Sequence, residues 1–307
     1  MTQAVSDSRL SLFRRTFCVA VCLFIAVSAG SAAAVDSVSR DGGSQLLQDR
    51  AVQFMQLINQ ARRDPLATAA QLGVDEDLVR TVFADTPWIL EEGLPPLAWN
   101  DLLVSSSSAH GRDMFDRLYY SYTTPEGETV EQRIAVAGYR ALFVGESMNA
   151  LFFNNYFALD DAFQLLVAAM LRDELSGSAA VDRNIFSTDV TEIGVAFFAE
   201  SINLLDEQPY VYLLLADFAA PVDSRQYAII KHDPEWQVAL RLFAEDHWVF
   251  PRQLRPGLTQ VAVSDGGGEL VLVDQDDSSR LSAVYSLSDY VGRDNRYFDL
   301  CTDLPGQ

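Results

Sequence analysis

Residues 105–110, SSSSAH, set serines one helical turn ahead of a histidine. On a helix, Ser106 stands four residues and Ser107 three residues before His110, so either hydroxyl falls within reach of the imidazole. A serine hydrolase needs that pair plus an orienting acid, an exposed nucleophile and an oxyanion hole. No G-x-S-x-G elbow occurs in the chain. The competing reading is structural: small residues let two helices approach closely. Leu103, Ser107, His110, Met114 and Leu118 follow 4-3-4-4 spacing, which puts His110 on an apolar helix face. The expected role is a hydrogen-bonded core histidine, with a cavity-lining role as the alternative. Three other stretches carry reactive types. Asp246-His247 is a lone pair and reads as packing. DQDDSS at 274–279 lacks the spacing and glycine of a calcium loop and reads as a solvated turn. Asp265–Gly268 is followed by no Lys-Ser/Thr and is not a phosphate loop.

The elements that must position these residues are legible from periodicity. Residues 46–63 carry apolar side chains at helical spacing, and Asp64-Pro65 ends the run. Residues 66–92 read as one or two short helices, and GLPPLAW as an extended segment. Asn100 or Asp101 is suited to cap a helix over 101–119. TTPEGE is a turn, and VEQRIAVAG a short helix closed by Gly138. Residues 160–175 form an amphipathic helix, with Asp160 or Asp161 as the expected cap. The pattern then changes. Residues 191–200 and 209–219 are apolar, β-branched or aromatic runs separated by a polar turn, as expected for two antiparallel strands. Helices followed by strands predict an α+β domain over 46–220. Residues 258–287 alternate apolar and polar types, with a hairpin expected at Asp265–Gly268, and a small β-rich C-terminal domain is expected over 221–307.

Composition narrows the partners. The 307-residue chain is 49% hydrophobic and 21% charged, which suits a packed core rather than a disordered chain. A formal net charge of −21 repels nucleic acid and anionic lipid, so a polyanion partner is not expected, whereas cations or basic partners would be attracted. Arg14 and Arg15 precede an apolar run that ends in small residues at Ala32 and Ala34. Residues 1–34 therefore read as a secretory signal and 35–45 as a linker, with an uncleaved anchor as the rival. Secretion outside the cytoplasm, with no stable membrane insertion after cleavage, is the expectation. Cys18 and Cys22 fall inside the signal, so only Cys301 remains and no internal disulfide is expected in the mature chain.

Several segments, taken in order, resemble one family. LINQARRDP (57–65), PPLAWNDLL (95–103), AHGRDM (109–114) and YSYTTPEG (120–127) are followed by RIAVAGY (133–139), VGESM (144–148), NIFSTDVTEIGVAF (184–197) and LLLADFA (213–219). Together they resemble the superfamily of cysteine-rich secretory proteins, antigen 5 and pathogenesis-related 1 proteins (CAP or SCP), in its bacterial secreted branch. The resemblance implies an α-β-α sandwich over residues 46–220.

It also implies a cavity lined by two histidines and two acids, which in many members holds a divalent metal. Matched position by position, the first histidine falls on Tyr122. The first acid is Glu146, and the second falls on Asp173 or Glu174. The second histidine, eleven residues before Glu192, falls on Val181 or, with a one-residue shift, Asp182. Both imidazoles are thus replaced, and a neutral phenol is a poor zinc donor. The expected cavity residues are Tyr122, Glu146, Asp173, Asp182 and His110, with no cofactor and no metal.

Three functions follow as expectations. The first is a secreted, non-enzymatic binding module for a lipid, another apolar ligand or a protein, with ALFFNNYFALDDAF (150–163) as the feature able to line an apolar groove. The second is a protease-like hydrolase with Glu146 as general base, assisted by Tyr122 or His110. The third is a surface protein held by an uncleaved N-terminal helix.

Overall fold

The structure is a computed structural model, and it describes residues 40–177, 183–202, 208–223, 226–232, 236–244, 247–253, 257–263, 268–274, 281–286 and 295–299. The signal-like segment 1–34, Val181, Asp182, Asp246, the turn at 264–267 and Cys301 lie outside the described residues.

The first helix, α1, runs Arg40–Arg63. It begins inside the stretch expected to be a linker. Extending an existing helix adds a hydrogen bond per residue, so the strongly periodic run after residue 46 carries the weak formers Gly42 and Gly43 with it. Asp64 then caps α2 (Pro65–Leu72) by accepting from the Ala67 N–H at 2.9 Å, and Gly73 stops it at φ 68°. α3 (Glu76–Val82) and α4 (Trp88–Glu92) complete this helical stretch, making three short helices where one or two were expected. α5 (Asp101–Arg117) is capped by Asn100, whose Oδ1 accepts from the Leu102 N–H at 2.9 Å. α6 spans Val130–Val136 behind a Thr129/Gln132 capping box, and Gly138 closes it at φ 91°. α7 spans Leu159–Ser176. Its N-cap is Ala158 rather than an aspartate. Asp160 and Asp161 lie instead in the first turn, where the helix dipole favours their charge.

Four strands form the central sheet in the order β1-β3-β4-β2: β1 (Ala98–Trp99), β2 (Ala141–Phe153), β3 (Glu192–Ser201) and β4 (Tyr210–Pro221). β3 and β4 pair antiparallel as the sequence predicts, and β2 pairs antiparallel along β4. β1 lies parallel to β3. Alternate residues enter two different cores. Ile193, Val195, Phe197, Leu214, Ala216 and Phe218 pack with Phe54 and Ile58 of α1 and Phe163 and Leu166 of α7. Ala196, Phe198, Leu213, Leu215, Met148 and Ala150 pack with Met114 of α5. Helices therefore cover both faces, which is why β3 and β4 are almost continuously apolar. The domain is an α-β-α sandwich.

The segment 150–163 divides between this sandwich and solvent. Phe153 stacks on Phe157 with ring centroids 4.3 Å apart and meets Tyr212 edge-on, while Tyr156 stands 61% exposed. Phe153 and Phe157 are packed, while Phe152 borders a small apolar opening.

A β-rich unit follows, as expected. β5 (Gln226–His232), β8 (Gly257–Val263) and β11 (Arg296–Asp299) form one sheet in the order β11-β5-β8. β6 (Trp236–Ala244), β7 (His247–Gln253), β9 (Gly268–Asp274) and β10 (Leu281–Ser286) form another, in the order β10-β9-β6-β7. The hairpin expected at Asp265–Gly268 is not formed. β8 pairs with β5 and β9 pairs with β6 and β10, so that connection passes between sheets. Gly-rich turns favour tight reversals but do not choose the partner strand, which is set by packing of the apolar faces.

Candidate functional site

Sheet register brings the most polar part of the core together. Glu146 on β2 lies directly opposite Asp217 on β4. Both belong to the alternate set that faces α5, from which His110 projects. The His110 Nδ1 lies 2.8 Å from Glu146 Oε1, and the Arg133 Nη2 of α6 donates to the same oxygen at 2.7 Å. Ser106, one turn before His110, completes the cluster. All five residues are buried, from fully enclosed Asp217 to Arg133 at 7% exposure. Arg133 also donates through Nη1 to the Tyr122 and Glu128 carbonyls, both at 3.1 Å, so one guanidinium ties the 120–128 turn to the core acid.

The electrostatics of this cluster are asymmetric. Burial, then the Glu146 charge, push the Asp217 carboxyl well above the usual carboxylic range, while Ser106 and Arg133 oppose that shift. Asp217 therefore holds its proton more tightly than an ordinary carboxyl, beside the Glu146–Arg133 ion pair. Ser106 Oγ, His110 Nε2, Glu146 Oε2 and both Asp217 carboxyl oxygens make no protein hydrogen bond of ordinary geometry. Ser107 points elsewhere and bonds back to the Val104 carbonyl.

The other positions implied by the family resemblance lie outside this hydrogen-bonded cluster but near it, since the Tyr122 phenol feels the charges of Glu146, Glu174 and Asp173. Tyr122 is 37% exposed on the turn before α6, and partial burial and the Glu146 charge raise its phenol above the ordinary value. Asp173 is exposed. Glu174 is 5% exposed and points inward. It accepts from three successive backbone N–H groups, those of Asn184, Ile185 and Phe186, at 2.9 to 3.2 Å. Burial nevertheless outweighs these bonds and lifts its pKa to about 7. Asn184 in turn donates to the Glu146 carbonyl at 3.0 Å and Ser147 Oγ at 3.1 Å, covering the outer edge of β2. Gly145 makes this seat; a Cβ there would lie 2.1 Å from Asn184 Oδ1.

Sequence reasoning brought out His110 and Glu146 and left their mutual contact undrawn. It overlooked Asp217, Ser106 as the neighbour of Asp217, and the role of Arg133. A lone acid inside the apolar run YVYLLLADFAA was the available signal, since charge is rarely buried without partners. Glu192, used above only as a landmark, is also buried. It accepts from Tyr139 Oη at 2.8 Å and Asn100 Nδ2 at 2.7 Å, anchoring the start of α5.

These donors do not fit a zinc centre. One Glu146 oxygen is already taken by a guanidinium and an imidazole, Glu174 is satisfied by backbone amides, and Tyr122 is a neutral phenol. Among the described residues, no three His, Cys, Asp or Glu side chains converge as a metal would require.

Two openings adjoin the domain. A small one of about 20 Å³ lies at the C-terminal end of α5, lined by Met114, Phe115, Leu118, Tyr120, Phe152 and Leu213. A larger cleft of about 480 Å³ is bordered by Trp88, Glu92, Pro95, Pro96, Thr188 and Asn295. Trp88 is 41% exposed there. Among the described residues, no helix is long and apolar enough to cross a membrane.

Among solved structures, the chain is similar to an extracellular protein containing a SCP domain from Bacillus anthracis, at 17% identity and a TM-score of 0.37. That likeness covers 60% of this chain and 44% of the relative, so the chain spans less than half of that protein's length. A second likeness, to an outer surface protein from Borrelia burgdorferi, has 15% identity and a TM-score of 0.30 and covers 48% of this chain and 96% of that one. No curated protein matches the chain. Residues 55–201, from α1 to the end of β3, match the model of the cysteine-rich secretory protein family, and the sandwich domain of this chain belongs to that family, CAP.

Proposed function

We propose that the chain is an extracellular binding module that works without a metal or a hydrolytic residue at Glu146. The observation that carries this reading is the Glu146 carboxylate. It is 4% exposed, and its Oε1 is held by Arg133 and His110. A general base must reach a substrate proton, and a metal-ligating carboxylate must offer a free oxygen to an open position. Glu146 does neither, because its one unpaired oxygen, Oε2, is enclosed by protein and reaches no solvent. The signal-like residues 14–34 support export.

The ligand is better accommodated by the larger cleft than by the apolar opening. About 20 Å³ holds a single water- or methyl-sized group. The cleft of about 480 Å³ is of the size that takes small molecules or peptide segments. Its exposed indole and its Glu92 and Thr188 side chains suit an amphipathic ligand with one flat face and several hydrogen-bonding groups.

Calorimetric titration of the chain with zinc and then calcium tests the first part. No saturable zinc binding at micromolar concentration is expected. Tight zinc binding that disappears in Glu146→Gln or His110→Ala would overturn it and favour metal-assisted hydrolysis. For the cleft, a panel of small amphipathic ligands and peptides is screened by thermal shift against wild type and Trp88→Ala. Shifts should be lost in the variant. Ligands that shift both proteins equally would move the binding surface elsewhere.

A further inference from the structure

We infer that the C-terminal β-rich unit docks as a surrogate strand on the open edge of the sandwich sheet, through the side-chain amides of Gln260 and Asn295. β1 is an edge strand of only two residues. Its inward peptide groups are spent on β3 and the loop before it: the Ala98 N–H donates to the Thr191 carbonyl at 2.9 Å, and the Asn100 N–H to the Ile193 carbonyl at 3.0 Å. In a parallel ladder the residue between these, Trp99, turns its N–H and C=O outward. Both are met by one amide. Gln260 Oε1 accepts from the Trp99 N–H at 2.6 Å, and Gln260 Nε2 donates to the Trp99 carbonyl at 2.9 Å. A primary amide carries the same donor and acceptor as a peptide group, so Gln260 closes the ladder as a further strand would.

Asn295 makes the second attachment. It is 2% exposed and donates through Nδ2 to the Pro96 carbonyl at 3.1 Å and the Thr191 carbonyl at 2.7 Å. Its Oδ1 accepts from the Tyr227 N–H at 3.0 Å on β5. The two amides come from opposite sides of β5, Gln260 from β8 and Asn295 from the start of β11. Ala228, Ile229 and Ile230 of β5 are all fully buried, although successive strand residues point to opposite faces, so this strand is covered on both sides. An exposed sheet edge invites pairing with other chains, and the docked unit removes that liability within one chain. Asn295 also borders the 480 Å³ cleft, whose shape therefore depends on docking.

The test is amide hydrogen exchange of the full chain, read at Trp99. Gln260→Ala is expected to speed Trp99 exchange by about tenfold or more, while amides in the middle of β3 and β4 keep their protection. Gln260→Glu replaces the donor to the Trp99 carbonyl with a second acceptor, so its Trp99 exchange should also be faster than in wild type. The paired change of Gln260 and Asn295 to alanine should split a single thermal transition into two. Unchanged Trp99 exchange in both Gln260→Ala and the paired variant would overturn the docking. If Gln260→Ala unfolded the whole chain, Gln260→Glu would decide the matter: faster Trp99 exchange in a chain that otherwise stays folded would support the clamp, and wild-type protection would count against it.

Discussion

Glu146 and Asp217 face each other across adjacent antiparallel strands in a buried layer, and only Glu146 is paired with a guanidinium. Arg133 and His110 hold Glu146, whereas Asp217 has no cation of its own, and burial and the charge of its neighbour push its carboxyl well above the ordinary range. The carboxyl pair is a fixed part of the core rather than an open acid–base site.

Making Asp217 permanently neutral should therefore help at high pH, and removing the cation should harm. Asp217→Asn keeps the shape and is neutral at every pH. Relative to wild type it is expected to gain stability at pH 8 and little near pH 4, because the raised Asp217 carboxyl costs the folded state only where the unfolded chain would ionise it. Arg133→Met leaves Glu146 buried without its guanidinium and should cost about 3–5 kcal/mol. Urea denaturation of both variants at the two pH values checks the pair.

Glu174 predicts the pH dependence. Its folded-state pKa is about 7, raised above the ordinary carboxylic value chiefly by burial. A raised pKa means the folded state holds the proton more tightly than the unfolded chain. Its contribution is fully present below about pH 4.5 and is lost as pH rises through 7. Asp217 acts in the same direction. Melting temperature should accordingly fall between pH 5 and pH 8, and Asp217→Asn should flatten part of that slope. A melting temperature that rises over this interval would contradict both assignments.

Close approach of α5 to the sheet depends on two glycines of unequal tolerance. A Cβ at Gly194 would sit 2.2 Å from the backbone at Leu103 and Val104, which cannot move without displacing the helix. A Cβ at Gly111 would meet the Phe198 ring at 2.2 Å, and a ring can swing aside. Gly194→Ala should cost about 3 kcal/mol or more and Gly111→Ala distinctly less, as measured by chemical denaturation.

Restoring one imidazole should not restore a metal site. Tyr122→His returns the residue type the family resemblance implies, yet Glu146 stays engaged by Arg133 and Glu174 by three backbone amides. Zinc titration of this variant by calorimetry is expected to show no saturable binding at micromolar concentration. Tight binding would mean that Glu146 exchanges its partners readily.

The amino-acid sequence by itself determined the elements of the sandwich. Helical spacing in α1, α5 and α7, the Asp64-Pro65 break, the Asn100 cap and the apolar runs of β3 and β4 are local signals, set by periodicity and by backbone sterics. The order of motifs from LINQARRDP to LLLADFA was likewise legible. Contacts between residues far apart in sequence were decided only by tertiary structure. His110 and Glu146 stand 36 residues apart and meet because α5 crosses the face of the sheet on which Glu146 lies. Asp217 joins them through the register of β2 against β4, and a one-residue slip would have turned it to the opposite core. The same holds for β8 and β9, where a glycine-rich turn suggested a hairpin and sheet packing chose other partners. Gln260 and Trp99 lie 161 residues apart, and no local property of a glutamine announces that its amide completes a distant strand.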